Sequence, residues 1–544
     1  MRSKQKLQCL VAVLLAACLL MLERWKPISS ATTLTRGSRP NILMIVADDL
    51  GFSDLGSYGG EIHTPNLDRL AAQGMRFSQF YNNAVCVVTR ASMMTGLYPR
   101  FGSGGLLRST MITIPELLRS AGYNTALTGK WHLGSQSPNR PIDRGFDEYY
   151  GVPSGCCNYF NPAQPDPRFY DGQGKRRPFV HNQQSLDQFP EDFYTTDAFT
   201  SHAVENIRRL ATAGKPFFLN VCYTAPHFPL HAKPEDIVRY RAKYARGYFA
   251  LREQRYQRQL SLGIMNPRSR LSPADAPAGA AWNYDYAIQP WEKVKDPQRE
   301  QHLMEVYAAM VDSLDQGIGR ILKAIDDVGI RDNTLVMFFS DNGGCASLPV
   351  DRKGYQVYNA GKTIGTKESY EFCGPGWGWA QNTPFRRYKA WTYEGGITTP
   401  LIARWPGKIQ PNSITHHAGH VIDLLPTFAE LAETSYPRSF KGQPIVPLEG
   451  TSLWPLLKGK DRRQPNLAWY LYGNRAIRQG KWKLVWGVTR GQWELYDLTA
   501  DRTETRDLAA RNPSRVRQLS EAWSQWAKRS EISEKELQAP SSPN

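Results

Sequence analysis

Cysteine is scarce in this chain: eight in 544 residues, with Cys9 and Cys18 both inside the first eighteen. Six in the remainder are too few to staple a chain this long, which excludes a disulfide-built scaffold. Acidic residues are also few against basic ones, 50 to 67, so the net charge is +17. That balance suits an anionic partner: nucleic acid, anionic lipid, or a sulfated or phosphorylated substrate. The apolar run Leu7–Leu22 falls short of the ~20 residues a membrane span needs, and no internal repeat of fixed period is present. Apolar residues at 41%, charged at 22% and aromatic at 11% are globular values, and they exclude a disordered, collagen-like or polytopic membrane chain.

Residues 1–31 read as a signal peptide. Arg2, Lys4 and Lys6 precede the apolar run, Glu23-Arg24-Trp25-Lys26-Pro27 ends it, and Ser29 and Ala31 sit at the small-residue positions of a cleavage site. An alternative is a lipoprotein box, Leu15-Ala16-Ala17-Cys18, with the chain anchored through Cys18. Either predicts export, to the periplasm or outside the cell, with no transmembrane domain after cleavage. Loss of residues 1–31 leaves a charge of about +13, so the basic bias belongs to the mature chain.

Short apolar, β-branched-rich runs recur between helical patterns: Asn41–Ala47, Thr125–Thr128, Pro216–Tyr223, Thr334–Ser340 and Pro400–Trp405. Such runs suit buried parallel strands. Pro65 opens a helix that Gly74 ends, and Leu303, Val306, Met310, Leu314, Ile318, Ile321 and Ile325 recur at helical spacing. The alternation predicts an α/β fold with a central, mostly parallel sheet flanked by helices. Residues 155–195 and 240–300 read as surface insertions. Beyond residue 430, Trp469–Tyr472, Ala476–Arg478, Lys481–Trp486 and Trp493–Leu498 read as a small antiparallel sheet, with a helix over Val516–Trp526. The expected organisation is signal 1–31, catalytic domain 39–430, C-terminal α+β subdomain 431–531 and flexible tail 532–544.

Several strands end in chemistry. Asp48 and Asp49 follow the first, and adjacent carboxylates there need a neutralising cation of the Ca²⁺ or Mg²⁺ type. Asp341, Asn342 and two glycines follow Thr334–Ser340. Cys86 stands four residues before Arg90 at a loop-to-helix junction, where a helix N-terminus and a guanidinium favour negative charge. Lys130 and His132 share one face of an extended segment, His227 lies between two prolines, and Lys389 precedes Glu394-Gly395-Gly396. A cation site, a nucleophile position and several cationic donors at strand ends are the equipment for transferring a tetrahedral oxyanion.

In order, ADDLG, TPNLDRLAAQG, CVVTRASMMTG, TGKWHLG, APH, SDNGG and K-x4-EGG resemble the type I sulfatases of the alkaline-phosphatase superfamily, over about Pro40 to Leu508. The resemblance implies that Asp48, Asp49, Asp341 and Asn342 hold one divalent cation, usually Ca²⁺, with Cys86 beside it. It implies that a maturation enzyme oxidises Cys86 to Cα-formylglycine, whose aldehyde hydrate attacks sulfur. Arg90 would position that residue, Lys130, His132 and Lys389 would bind sulfate and hydrate oxygens, and His227 would protonate the leaving alcohol. The family's modification signal reads Cys-x-Pro-Ser-Arg; here Val88 replaces the proline and Thr89 the serine.

The substrate so implied is a sulfated carbohydrate or an aryl sulfate. Two other readings fit the same residues: a phosphate or phosphonate monoester hydrolase, and a catalytically silent binder of sulfated polysaccharide, suggested by Val88. Nucleic acid is not an expected partner, because the basic residues are dispersed and no reader motif appears. Trp377 and Trp379, near Arg386 and Arg387, offer either a sugar platform with an anion clamp or core packing in a Gly-rich loop.

Overall fold

The computed structural model describes residues 39–275 and 286–538. The signal segment lies outside them, as do residues 539–544. From Arg39 onward the chain forms one compact unit.

A single eleven-stranded sheet organises it. From one edge the strands run Ser413–Thr415, Met75–Tyr81, Thr398–Arg404, Thr334–Ser340, Asn41–Ala47, Phe217–Cys222, Asn124–Gly129, Glu148–Gly151, Val180–His181 and Gln184–Ser185, and Gly419–His420 also pairs with Met75–Tyr81. Five strands from Thr334–Ser340 to Glu148–Gly151 are parallel. The exception near the centre is Thr398–Arg404, read as one of the parallel set from sequence, which runs antiparallel to both neighbours.

Every residue of Asn41–Ala47 is buried, because both faces of the sheet are covered. Leu43, Ile45 and Ala47 face one core, with Ile207, Met310 and Leu314 of the helices Thr195–Ala211 and Pro297–Asp327. Ile42, Met44 and Val46 face the other, with Leu117, Leu424 and Phe428. This two-sided burial is why the strands read as unbroken apolar runs rather than as alternation.

The C-terminal sheet is a four-stranded antiparallel meander, Leu467–Leu471, Asn474–Gln479, Trp482–Trp486 and Trp493–Asp497. Here side chains do alternate. Tyr470, Ile477, Leu484 and Leu495 pack on Leu519, Trp523 and Trp526 of the helix Pro513–Arg529. Trp469, Val485 and Tyr496, on the opposite face, join the main core.

Three boundaries differ from the sequence reading. The helix Leu424–Leu431 crosses the expected break at 430, and Leu453, Leu456 and Leu457 pack into the main core, so the small sheet begins only at Leu467. Within 240–300, the helix Gly247–Ser261 buries Arg252 and Arg255 and is core rather than surface insertion. Part of the expected tail is held: Glu534–Gln538 is helical, and the Tyr470 hydroxyl donates to the Glu536 carbonyl at 2.9 Å.

Candidate active site

The parallel register lines up the carboxyl ends of four adjacent strands. Ala47 lies opposite Ser340, Val46 opposite Cys222, and Gly129 opposite Cys222. Asp48 and Asp49, Asp341 and Asn342, Lys130 and the His227 loop therefore emerge side by side, as expected of ligand sites in open α/β sheets. Asp49 takes a left-handed backbone, φ 66°, as do Ala84 (63°), His132 (64°) and Ala390 (76°). Non-glycine residues in that region cost about 1–3 kcal/mol each and concentrate where geometry is over-determined. Gly343 has no such freedom to replace: a Cβ there would sit 2.1 Å from the Gly395 carbonyl oxygen.

Cys86 is the first residue of the helix Cys86–Thr95, buried, with Arg90 one turn on. Arg90 donates from Nε and Nη2 to Asp341 Oδ2 at 3.0 and 2.8 Å, and from Nη1 to the Lys130 carbonyl at 2.9 Å. Lys130 Nζ donates to Asp48 Oδ2 at 2.6 Å. Lys389 Nζ reaches both oxygens of Asp49 at 2.7 and 2.9 Å, and Asn342 Nδ2 donates to Asp49 Oδ1 at 2.6 Å. His227 Nδ1 lies 2.6 Å from the Phe228 carbonyl oxygen, which can only accept, so Nδ1 carries the proton and the bare Nε2 faces Asp49 Oδ2 at 3.5 Å.

Burial and the neighbouring Asp341 push the Asp48 carboxyl up to about 8. Burial acts on Asp49 in the same sense, but Lys389 and His227 outweigh it and hold that carboxyl well below its usual range. Burial, then Lys130 and Arg90, push His132 well below the usual imidazole value, and burial takes His227 down to about 3. Burial also raises the Cys86 thiol.

The side-chain oxygens of Asp48, Asp49, Asp341 and Asn342 suit a hard divalent cation. Ligand atoms of Asp48, Cys86 and Asp341 lie within 4.8 Å of one another, as do those of Asp48, Asp49 and His227. Asp48 Oδ1 and Asn342 Oδ1 are buried without a hydrogen-bond partner, a costly state for two oxygens unless something positive accepts them.

All ten residues that the sequence assigns to chemistry and metal, Asp48, Asp49, Cys86, Arg90, Lys130, His132, His227, Asp341, Asn342 and Lys389, are buried or nearly so around these strand ends. The four substrate candidates are placed differently. Trp377 is fully buried against Tyr244, Tyr248 and Trp291, its Nε1 donating to the Glu300 carbonyl at 2.8 Å. Trp379 stacks with Arg252 at 3.7 Å. Arg386 and Arg387 both pair with Asp275, and Arg386 also donates to Tyr496 Oη and the Glu504 carbonyl. Of the two readings offered for this group, the geometry matches core packing.

The sequence reading missed the brace behind the Asp48-Asp49 turn. Asp54 Oδ2 accepts from the Gly51 amide at 2.8 Å and the Tyr307 hydroxyl at 2.7 Å, while Arg255 donates to Asp54 Oδ1 at 2.7 Å. Arg255 also pairs with Glu61. No local pattern signals this, because Arg255 comes from a segment two hundred residues away that reads as an insertion.

A sequence profile of the Sulfatase family matches residues 40–434. A second, for the C-terminal region of N-sulphoglucosamine sulphohydrolase, matches residues 385–527. An uncharacterized sulfatase of Schizosaccharomyces pombe is 34% identical over 533 residues, 89% of this chain and 93% of that protein. The arylsulfatase of Klebsiella aerogenes is 31% identical over 456 residues, 78% of this chain and 93% of its own length. Among solved structures, Ps i-CgsB in complex with k-i-k-neocarrahexaose superposes with a TM-score of 0.65 at 28% identity, covering 93% of this chain and 95% of that one. With a family profile spanning most of the chain and relatives of this extent, the protein belongs to the sulfatase family, whose members hydrolyse sulfuric esters.

Proposed function

We propose that this sulfatase cleaves sulfate esters of a saccharide or an aryl alcohol, using Cα-formylglycine made from Cys86 and one divalent cation, Ca²⁺ before Mg²⁺. The carrying observation is that Asp48, Asp49, Asp341, Cys86 and three cationic side chains meet in one buried cluster at the strand ends. Asp48, Asp49, Asp341 and Asn342 would hold the cation beside residue 86, where it would supply Lewis-acid chemistry. The formyl group supplies, as its hydrate, a nucleophile that a thiol raised by burial does not.

The chain's own groups do the rest. Arg90, anchored to Asp341 and the Lys130 carbonyl, has little freedom and fixes the orientation of the Cys86 turn. Lys130 and Lys389 bring ammonium donors to the sulfate oxygens, where developing charge needs them. His227 protonates the leaving alcohol from Nε2. Burial lowers it to about 3, and the negative charge of a bound sulfate ester beside it favours the protonated form. The names of the Klebsiella arylsulfatase and of the oligosaccharide-bound neighbour support the two substrate classes. The signal segment supports export, and no helix among the described residues is long and apolar enough to cross a membrane. A formylglycine-generating enzyme is the implied maturation partner.

The test pairs chemistry with mass. Protein from a host with a maturation enzyme is expected to show the thiol-to-aldehyde mass change in the Cys86 peptide. It should release sulfate from sulfated polysaccharides or an aryl sulfate faster than phosphate from the matching aryl phosphate, and Cys86→Ala should abolish release. Turnover with Cys86 wholly a thiol, or faster phosphate release, overturns the reading.

A further inference from the structure

Away from the catalytic strand ends, three side chains from three elements aim at one point. Glu148 opens the strand Glu148–Gly151, His181 closes the strand Val180–His181, and His202 lies on the helix Thr195–Ala211. His202 Nε2 lies 3.0 Å from Glu148 Oε1, and His181 Nε2 lies 3.7 Å from the same oxygen. The three ligand atoms fall within 4.8 Å of one another. We propose that Glu148, His181 and His202 form a second metal site, for a divalent transition ion such as zinc.

The donor set is the argument for the class of ion. Two imidazole nitrogens and one carboxylate oxygen suit zinc and its neighbours, whereas Ca²⁺ takes oxygen ligands alone. The surroundings supply the supports such a site needs. His202 Nδ1 lies 2.7 Å from Thr128 Oγ1, which can accept an Nδ1–H. Asn206 Nδ2 is shared between that nitrogen at 3.2 Å and the His202 carbonyl oxygen at 3.1 Å. When Thr128 accepts and Asn206 turns to the carbonyl, Nε2 presents its lone pair, as a metal-bound histidine requires. The Tyr150 ring stacks on His202 with centroids 4.6 Å apart, and meets His181 edge-on at 5.8 Å.

Charge balance alone does not account for the cluster. Arg209 already pairs with Glu148 through Oε2, which leaves Oε1 and two imidazoles with no need of one another for neutrality. Arg209 is 56% exposed and can yield to an incoming cation, and His181, 46% exposed, leaves a path in. The site would pin the Val180–Ser185 hairpin to the sheet and the long helix. Its two strands have two residues each and would hold weakly alone.

The experiment uses the full chain saturated with Ca²⁺, so that the catalytic cation is in place. Bound zinc is counted by competition with a chromophoric chelator, for wild type and for His181→Ala, whose side chain is exposed and outside the catalytic set. Wild type is expected to hold one zinc more than the variant at micromolar free zinc, with equal sulfate release from both. Co²⁺ in place of zinc should give tetrahedral visible bands in wild type only. Equal zinc counts, or Co²⁺ bands that survive His181→Ala, overturn the proposal.

Discussion

Asp341 serves two partners at once. One oxygen holds Arg90 through two hydrogen bonds, the other accepts from the Asp49 amide at 3.4 Å, and the carboxylate lies within 4.8 Å of ligand atoms of Asp48 and Cys86. Asp341→Asn keeps the shape and an acceptor for Arg90 but removes one negative charge from the proposed cation site. The expected result is loss of most of the Ca²⁺-dependent rise in Tm. Sulfate release should fall by about 10²–10³-fold, the usual cost of one preorganised electrostatic contact. An undiminished Ca²⁺ effect on the melting curve would contradict the ligand assignment. A second residue-scale case lies outside the site. His231 is wholly buried, accepting from the Tyr159 amide at Nδ1 and donating from Nε2 to the Ser369 carbonyl at 2.9 Å, so it is held neutral. Burial lowers it to about 4, against about 6.5 in the unfolded chain. Below pH 6.5 the unfolded state binds a proton that the folded state refuses. Stability is therefore full above pH 6.5 and falls down to pH 4, by up to about 3 kcal/mol from this residue. His420, lowered to about 3 by burial, adds in the same direction. Urea midpoints at pH 7 and pH 4.5 should fall less steeply for His231→Gln than for wild type. The acids and bases that cluster at the strand ends were legible because they follow apolar strands in short motifs. His231 was not, because nothing local separates a buried imidazole from an exposed one.

At the scale of elements, strands buried on both faces announced themselves, and those at the margins did not. Asn41–Ala47 and Thr334–Ser340 match the sequence reading residue for residue. Met75–Tyr81 was missed, since Arg76, Ser78 and Gln79 interrupt its apolar character, although its partners bury nearly all of it. The helix Cys86–Thr95 carries both departures from the family's modification signal, Thr89 for serine and the larger change, Val88 for proline. Val88 is buried in the third position of that helix. First-turn amides have no intrahelical acceptor, and the first intrahelical amide here is that of Thr89, which donates to the Val85 carbonyl at 3.0 Å. Proline at 88 thus removes no helical hydrogen bond, and its three side-chain carbons match those of valine. Val88→Pro is expected to fold with a stability change within about 1 kcal/mol. Because it restores the proline of the signal, the converted fraction of Cys86, read by peptide mass, should rise. A lower or equal converted fraction in the variant would show that Val88 does not limit conversion.

At the scale of the whole molecule, the question is whether the C-terminal sheet is an appendage or part of one cooperative body. Composition and motif order separated the small sheet from the α/β core correctly as a topology, but they could not see the polar contacts that join them, since those link residues about a hundred positions apart. Lys483, on the third strand of the small sheet, sits fully buried between Glu394, 2.8 Å away, and Glu504, 2.7 Å away. Glu394 follows the loop that carries Lys389, and its other oxygen accepts from the Tyr81 hydroxyl, five residues before Cys86. Removing the ammonium leaves two facing carboxylates out of water, with Arg502 at 3.5 Å as partial relief. Burial and Glu394 already raise Glu504 to about 7 against the pull of Lys483. Breaking one partner of a buried charge cluster costs about 3–5 kcal/mol. Lys483→Met keeps the length of the side chain and should lower stability by that order. If the sheet and the core unfold as one, the fluorescence of Trp482, Trp486, Trp493 and Trp523 and the release of sulfate are lost at a single urea midpoint, in wild type and variant alike. Pairing the change with Glu504→Gln should recover part of the loss, because the repulsion between the two acids goes with it. Tryptophan fluorescence that falls first, with sulfate release intact, would instead make the sheet a separate unit whose contact at Lys483 the active site does not need.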